Sequence, residues 1–203
     1  AAVKFNTRNG VSTKAGWLGF LQVWESARKL NQVVLDTARQ ANLDLISFPP
    51  SASLFSQKGQ VISWNTASLE HALENGLIPL VYGDVVFDKV LGGTIFSTEE
   101  LFAHLATVLH PSRILLAGKE EAVFSDYPRN QHPIRHISRS AGLESYLQSS
   151  DNQDVTGGMR SKVSQMQAIC NANPGTSVEI FRASLPGELL KALSGTHSGT
   201  IIS

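Results

Sequence analysis

Residues 77–97 read Leu-Ile-Pro-Leu-Val-Tyr-Gly-Asp-Val-Val-Phe-Asp-Lys-Val-Leu-Gly-Gly-Thr-Ile-Phe-Ser. The apolar run 77–82 has the length and composition of a buried strand. Pro79 within it favours the start of the strand or a sheet edge, because proline has no N–H to donate to a ladder. Turn-forming residues in the middle of 85–96 predict a hairpin of two short strands.

A capped helix follows this hairpin. Ser97 and Glu100 match a capping box, in which each side chain binds the backbone N–H of the other residue. The apolar residues that follow recur at helical spacing, so the sequence predicts a helix over 97–109.

The same signals of spacing, capping and turns predict further helices and strands on both sides of this segment. Predicted helices cover 17–40, with a start signal at Ser12-Thr13, then 66–76, capped by Thr66 and ended by Gly76, a helix from Gly157, and 186–193. Predicted strands cover 43–48, 113–117, 178–181 and 200–202. Residues 51–59 are expected to be a polar stretch with a turn at Lys58-Gly59, and 130–151 to be long and polar.

Strands and helices therefore alternate along the chain. This pattern predicts an α/β fold, a three-layer αβα sandwich with a mainly parallel central sheet, formed by one domain over 1–203. With 203 residues and 42% hydrophobic content, the chain can bury a core of that size.

Charge and cysteine content exclude several classes of function. Lysine plus arginine equals aspartate plus glutamate at 17 each, so the net charge predicts neither nucleic acid nor a membrane as a partner. No apolar run approaches the roughly 20 residues that span a bilayer, and no signal-peptide pattern opens the chain. Cys170 is the only cysteine and is expected to be a small buried hydrophobe, which fits a cytoplasmic protein.

The stretch 154–162, Asp-Val-Thr-Gly-Gly-Met-Arg-Ser-Lys, has the pattern of a phosphate site. Backbone N–H groups at a helix start are unpaired, and glycines there allow an anion to approach closely. Lys162 adds a full positive charge, while Met159, Val163, Met166 and Ile169 or Cys170 define a buried face. The alternative is an ordinary turn before an amphipathic helix with a solvated lysine.

Other candidate groups are weaker. Gly83 and Asp84 follow the strand 77–82, at the end of a strand where ligands gather in open α/β sheets. Glu99 lies in the first helical turn, where the helix dipole by itself favours a carboxylate. His132 and His136 are four residues apart, but Pro133 disfavours a helix between them, so no metal site is predicted.

Four blocks together resemble the amino acid kinase superfamily. They are 79–88 (Pro-Leu-Val-Tyr-Gly-Asp-Val-Val-Phe-Asp), 93–99 (Gly-Thr-Ile-Phe-Ser-Thr-Glu), 154–162 and the closing Gly199-Thr200. Within the superfamily the isopentenyl phosphate kinases are most similar and the fosfomycin-phosphorylating kinases next. The resemblance implies transfer of the γ-phosphoryl group of ATP, with Mg²⁺, to a small phosphorylated acceptor, in a homodimer.

The resemblance also implies roles for individual residues. Thr156, Gly157, Gly158 and Lys162 would hold the ATP phosphates, with Lys162 acting on the transferred group and Thr156 also near the acceptor. Gly83, Asp84, Ser97 and Thr98 would line the acceptor side, and Glu99 would face the junction of acceptor and nucleotide. Residues 118–128, with Gly118, Lys119, Phe124 and Asp126, resemble the family's adenosine-side segment.

Three departures from the family pattern bear on these roles. Glu99 stands where relatives usually have aspartate, and Lys119 replaces a common aspartate. The family's first strand with its glycine-rich loops would precede Ala1, so the chain is expected to be the tail of something longer. A kinase for another small phosphate or for a phosphonate, or a nucleotide-binding regulatory protein without catalysis, therefore remains open beside the isopentenyl phosphate kinase.

Overall fold

Strands and helices alternate through the part of the chain that the computed structural model describes, which is residues 5–127, 129–142, 146 and 157–203, with 157 and 158 described by their backbone only. The helices are α1 (Lys14–Gln40), α2 (Ala67–Glu74), α3 (Thr98–Leu109), α4 (Gly157–Ala172) and α5 (Glu188–Leu193). The strands are β1 (Leu45–Ser47), β2 (Leu54–Gln57), β3 (Gln60–Trp64), β4 (Ile78–Leu80), β5 (Asp84–Asp88), β6 (Gly92–Phe96), β7 (Arg113–Gly118), β8 (Val123–Phe124), β9 (Pro133–Ile134), β10 (His136–Ile137), β11 (Ser177–Arg182) and β12 (Thr200–Ile202).

The chain folds into two compact units, Ala1–His104 and Leu105–Ser203. In the first unit β1 and β4 form a parallel pair, and a second sheet has the order β3-β2-β5-β6. The β5–β6 hairpin confirms the prediction for 85–96. That the whole of 1–203 is one domain stays a prediction.

Residues 51–59, predicted as a polar stretch with a turn, contain the strand β2, which forms an antiparallel hairpin with β3. The predicted turn at Lys58-Gly59 is the tip of this hairpin, and both residues have positive φ. Ser56 is fully buried in β2, and its hydroxyl donates to Asp88 Oδ2 at 2.8 Å. A buried serine breaks the apolar alternation on which strand prediction depends.

Helix α1 begins at the predicted start signal, where the Thr13 hydroxyl oxygen accepts from the Gly16 N–H at 3.1 Å. Its buried face carries Gly19, Phe20, Asn31 and Ala38. Most of the other apolar residues of α1, whose helical spacing suggested a packed face, are exposed in the single chain. These residues are Leu18, Leu21, Trp24, Leu30 and Val34.

An apolar core in the first unit joins α1 to the β5–β6 hairpin. Phe20 and Val85 are buried, and Trp17 packs against them. The Phe20 ring lies 5.2 Å from the Trp17 ring and 5.3 Å from the Phe87 ring, as measured between centroids. These aromatic contacts fix α1 against the hairpin.

Two local predictions in this unit have different outcomes. Pro79 lies in the middle of β4, which pairs in the described chain with β1 alone, so the predicted edge position is confirmed. Thr66 does not cap α2 with its side chain. The Asn65 carboxamide oxygen accepts from the Ala67 N–H instead, and the Thr66 hydroxyl donates to Glu70 at 2.6 Å.

The second unit contains a sheet of order β10-β12-β11-β7, with β8 and β9 as a separate hairpin. Helix α4 packs against β11 and β12. Most of its predicted buried face is confirmed, since Val163, Met166, Ile169 and Cys170 are buried, whereas Met159 is half-buried. Burial raises the pKa of the Cys170 thiol, so this cysteine stays a protonated apolar group.

The segment predicted as long and polar contains two short strands. Pro133 pairs with Phe124 across β8 and β9, and β10 runs parallel to β12. Two-residue strands leave no periodicity in the sequence, so pattern analysis could not detect them.

The α/β class is confirmed. Among the described strand pairs, β1–β4, β2–β5, β7–β11 and β10–β12 are parallel, and four other pairs are antiparallel. Three of the four antiparallel pairs belong to hairpins. None of the described helices combines the length and the apolar character needed to cross a lipid bilayer.

Candidate active site

Gly83 lies against the start of α3. A Cβ atom placed on Gly83 would stand 3.3 Å from the Phe96 carbonyl oxygen and 3.4 Å from the Thr98 nitrogen. This is tighter than ordinary packing, so glycine lets the two backbones approach each other. Asp84 pairs with Phe96 in the β5–β6 ladder. The structure therefore brings together Gly83, Asp84, Ser97 and Thr98, which the sequence predicted separately as acceptor-side residues.

Asp84 is a buried carboxylate with few hydrogen-bond donors. Its side chain is 1% exposed, and it accepts from the N–H groups of Val85 at 2.8 Å and Ser51 at 3.2 Å. Removal from water disfavours the charged form, and these bonds only partly offset that effect. Burial therefore raises the pKa of Asp84 above its ordinary value. A perturbed carboxyl at the end of a strand is typical of a functional site.

The predicted capping box is confirmed in α3, and an arginine completes it. The Ser97 N–H donates to Glu100 at 2.7 Å, and the Glu100 N–H donates to the Ser97 hydroxyl oxygen at 3.2 Å. Arg8 lies 2.6 Å from the other Glu100 oxygen and also donates to the Ile95 carbonyl. Sequence reasoning missed Arg8, because an ion pair 92 residues apart in the chain leaves no local pattern.

Glu99 is half-buried in the first turn of α3, as predicted from its place after the cap. Within the described residues, no three histidine, cysteine, aspartate or glutamate side chains lie close enough together to hold a metal ion. A role for Glu99 in orienting a metal or a phosphate stays a prediction.

A polar cluster that the sequence did not predict lies at the carboxyl end of β1. Asn31, 8% exposed on the buried face of α1, accepts from the Ser47 hydroxyl at 3.0 Å. Tyr82, which follows β4, lies close enough to Ser47 and Asp84 for both to influence its hydroxyl. Burial, and secondarily the Asp84 charge, raises the pKa of the Tyr82 hydroxyl against the opposing effects of Ser47 and Arg28. The one indication in the sequence is that Asn31 shares a helical face with Phe20 and Ala38.

Helix α4 begins at Gly157 and Gly158, as the phosphate-site pattern predicted. Lys162 follows in the second turn and is half-buried. Arg160 and Ser161 are exposed, in agreement with the predicted wet face. Thr156, the remaining predicted member of this group, lies outside the described residues.

The adenosine-side candidates are dispersed around the end of β7. Gly118 is the last residue of β7, and both it and Lys119 are exposed. Phe124 ends β8 and is half-buried opposite Pro133. The assignment of these residues to a nucleotide stays a prediction.

Asp126 is engaged by its own loop. Its carboxylate accepts from the Gln131 N–H at 3.2 Å and the His132 N–H at 3.0 Å, and it lies 3.2 Å from His132 Nδ1. Desolvation acts to raise the pKa of Asp126, but these bonds outweigh it and lower the pKa. His136 instead contacts the Ser203 hydroxyl at 2.9 Å. The two histidines four residues apart thus contact different groups.

The closing Gly199-Thr200 motif is built into the sheet. A Cβ atom on Gly199 would collide with the Ile180 carbonyl oxygen, so the motif requires glycine for close pairing. The fully buried Thr200 hydroxyl donates to the Ile134 carbonyl at 2.6 Å and accepts from the Val123 N–H at 2.8 Å. Thr200 therefore attaches the β8–β9 hairpin to β12.

Comparison with known proteins decides the family. The sequence model described as the amino acid kinase family matches residues 5–181. The chain belongs to the amino acid kinase family. Isopentenyl phosphate kinase of Methanothermobacter thermautotrophicus is 31% identical to it over 182 residues, which cover 87% of this chain and 67% of that protein. Isopentenyl phosphate kinase of Methanocaldococcus jannaschii is 28% identical over 186 residues, covering 91% of this chain and 67% of that protein.

Solved structures confirm the fold. An X-ray structure of isopentenyl phosphate kinase aligns over 100% of this amino acid kinase and 78% of that chain, with a TM-score of 0.83 and 24% identity. UMP kinase of Ureaplasma parvum aligns with a TM-score of 0.56 at 15% identity, covering 100% of this chain and 75% of that one. The family and the fold predicted from the four sequence blocks are confirmed.

Proposed function

We propose that this amino acid kinase transfers the γ-phosphoryl group of ATP to isopentenyl phosphate, which yields isopentenyl diphosphate and ADP. The observation that carries the proposal is the similarity to isopentenyl phosphate kinases at 28–31% identity over most of the chain. An oxygen of the acceptor phosphate forms the new bond to the γ-phosphorus, and the bond from that phosphorus to the bridging oxygen of ADP breaks. The acceptor is already an anion, so no side-chain base is needed to activate it.

Phosphoryl transfer requires mainly positioning and positive charge around the phosphate oxygens. The start of α4 supports such a role, since a helix N-terminus favours an anion, Gly157 and Gly158 open this helix, and Lys162 comes one turn later. We assign the ATP phosphates to Gly157, Gly158 and Lys162, together with Thr156. Lys162 neutralises charge on the transferred group.

Gly83, Asp84, Ser97 and Thr98 support an acceptor site, because they are neighbours at one edge of the first unit. Near them α1 offers apolar surface for a prenyl chain. Phe20 is 4% exposed and serves the core, whereas Trp24 is 37% exposed and suits a wall of the pocket.

Mg²⁺ fits this proposal without a dedicated protein cage. Magnesium in kinase sites is bound through one or two carboxylates together with substrate phosphates and water. When bound, it would neutralise charge on the nucleotide phosphates. We assign the Glu99 carboxylate to the ion. Its side chain is longer than that of the aspartate usual at this position, so this ligand is particular to this chain.

An acceptor panel tests the proposed reaction. ADP release is measured with isopentenyl phosphate, fosfomycin and buffer alone, at saturating Mg-ATP. Turnover with isopentenyl phosphate supports the proposal, and turnover with fosfomycin alone identifies a phosphonate kinase instead. ATP binding without turnover on any acceptor identifies a regulatory protein.

Lys162→Ala tests the donor site. We expect kcat to fall by roughly 100-fold or more, because a cation on the transferring group stabilises the transition state. Lys191→Ala is the matched control, since Lys191 forms an exposed ion pair with Glu188 in the same unit. A Lys162→Ala rate near that of the parent would remove this residue from the mechanism.

We also propose a homodimer that works in the cytoplasm, where its single buried cysteine stays reduced. Helix α1 supports the dimer, because Leu21, Leu30 and Val33 expose 55%, 66% and 60% of their surface in the single chain. Light scattering on the parent should report twice the mass of the chain, and Leu30→Glu should shift it towards one. A parent that stays at one chain mass at high concentration would contradict the dimer.

A further inference from the structure

Strands β7 and β11 end side by side in the second unit. They run parallel, and Arg182, the last residue of β11, lies opposite Gly118, the last residue of β7. The Ala183 N–H donates to the Gly118 carbonyl at 3.0 Å and extends the ladder by one bond. Gly118 and Lys119 are exposed, so a ligand can reach this edge. The carboxyl ends of parallel strands are where α/β proteins place ligands.

Helix α4 begins at the same edge of the sheet. Its last turn lies near the start of β11, because the Cys170 thiol donates to the Ile202 carbonyl at 3.5 Å and Ile202 pairs with Val178. The helix packs against β11 and β12, and its 16 residues span about 24 Å, whereas the six residues of β11 span about 20 Å. The first turn of α4, which we assign to the ATP phosphates, therefore lies towards the end of β11 that carries Arg182.

Arg182 carries a polar group that the fold leaves unsatisfied. Its Nε atom is buried and has no hydrogen-bond partner in the described part of the chain. Lys191, and to a smaller extent Arg182, lower the pKa of the Glu188 carboxyl, but Glu188 forms its ion pair with Lys191 at 2.9 Å. An unpaired buried donor costs free energy that an apolar side chain of similar length would not. Packing therefore does not explain an arginine at this position, whereas a ligand that accepts hydrogen bonds would.

We propose that Arg182 binds the nucleotide through the phosphates that remain on ADP after the transfer. This inference rests on the proposed function and deepens it, since it adds a second cation to the donor site. A guanidinium presents parallel N–H groups that match two oxygens of one phosphate. Lys162 is assigned to the transferred group, so the two cations have different tasks.

Steady-state kinetics with ATP and isopentenyl phosphate separate these tasks. Arg182→Met keeps an unbranched side chain but removes the charge and the donors, and we expect it to raise the ATP KM about 10-fold. The kcat and the acceptor KM should stay within about twofold, because a contact to phosphates that do not react binds substrate and transition state alike. Arg182→Lys keeps the charge without the planar fork and should recover part of the loss. Arg39→Met is the matched control, since Arg39 forms an exposed ion pair with Asp36 on α1.

The stability of the ligand-free protein gives a readout that distinguishes binding from structure. Removal of an unpaired buried donor should leave the Tm of Arg182→Met equal to that of the parent or above it. Added ADP should raise the Tm of the parent more than that of the variant. A lower Tm of the ligand-free variant with unchanged ADP affinity would show that Arg182 is structural and would overturn the inference.

Titration calorimetry locates the contact on the nucleotide. ADP should bind Arg182→Met about 10-fold more weakly than the parent, while adenosine, which has no phosphate, should bind both proteins alike. Equal losses for ADP and adenosine would place Arg182 against the nucleoside and overturn the assignment to the phosphates. If adenosine binds the parent too weakly to measure, the ADP titrations decide alone.

The possible results separate the two proposals. If the parent phosphorylates isopentenyl phosphate but Arg182→Met leaves the ATP KM and the ADP Kd within about twofold, this inference is overturned and the proposed function stands. If the parent binds ADP but phosphorylates no acceptor, the proposed function fails, and the ADP titrations still decide the role of Arg182. Should Arg182→Met not fold, Arg182→Gln, which also removes the charge, takes its place with the same expectations.

Discussion

Asp84 and Asp88 are the first and last residues of β5, and their side chains are almost equally buried, at 1% and 3% exposure. Their pKa values nevertheless shift in opposite directions. Asp84 accepts two backbone hydrogen bonds. Asp88 accepts from the backbone N–H groups of Lys58, Gly59, Val90 and Leu91 and from the Ser56 hydroxyl.

The number of donors decides the outcome. At Asp88, desolvation acts to raise the pKa, but the hydrogen bonds from Leu91, Gly59, Val90 and Ser56 outweigh it and hold the pKa well below the ordinary value. At Asp84, desolvation outweighs the hydrogen bonds and raises the pKa. At one end of β5, the Asp88 carboxylate stabilises two hairpin turns. At the other end, burial disfavours the charged form of Asp84 beside the proposed acceptor site.

Asp88→Asn should produce the largest effect on folding. An amide offers one acceptor oxygen where the carboxylate offered two, so several of the five donors lose their partner. We expect the free energy of unfolding to fall by about 3 kcal/mol, measured by urea denaturation.

Asp84→Asn is the matched variant at the other end of β5. It should change the free energy of unfolding by less than about 1 kcal/mol while lowering kcat/KM for the acceptor by about 10-fold. Equal losses of stability in both variants would show that the two ends of the strand do not differ as described.

The pH dependence of stability should separate the two residues by sign. The folded-state pKa of Asp88 lies below the unfolded value of about 3.9, so its contribution is complete above about pH 4 and is lost as the pH falls through the folded-state value. Asp84 has a raised folded-state pKa, so its contribution is complete below about pH 4 and is lost as the pH rises through that raised value.

Urea titrations of parent and variants across the acid range measure these contributions. The deficit of Asp88→Asn relative to the parent should shrink as the pH falls below about 4, and Asp84→Asn should gain on the parent as the pH rises above it. The same slope for both variants would refute the assignment of opposite shifts.

Gly83→Ala should produce the smallest effect on the reaction of the acceptor. A methyl group would press on the Phe96 carbonyl and the Thr98 nitrogen, and we expect a loss of about 1 kcal/mol with a measurable increase in the acceptor KM. Gly175→Ala is the control, because nothing lies within 4 Å of the added carbon, and should be neutral. A harmless Gly83→Ala would mean that α3 yields easily at this edge.

Local chemistry made part of the molecule predictable. The Ser97–Glu100 capping box, the α1 start at Thr13 and the buried face of α4 all follow from patterns within a few residues, and the structure confirms each of them. The β2–β3 hairpin escaped prediction because its buried Ser56 is paired with Asp88, 32 residues away. The exposure of the α1 leucines was not predicted for a related reason, since periodicity identifies an apolar face but not what covers it.

The sequence by itself determined the family, the alternation of strands and helices, and the glycine-opened helix start with Lys162. These features depend on spacing, capping and turn chemistry, which act between near neighbours in the chain. Only the tertiary structure decided that Arg8 pairs with Glu100, that Ser47 donates to the buried Asn31, and that two aspartates four residues apart have opposite pKa shifts. Those outcomes depend on how many hydrogen-bond donors distant segments place around a side chain and on how deeply they bury it. No local sequence pattern encodes either quantity.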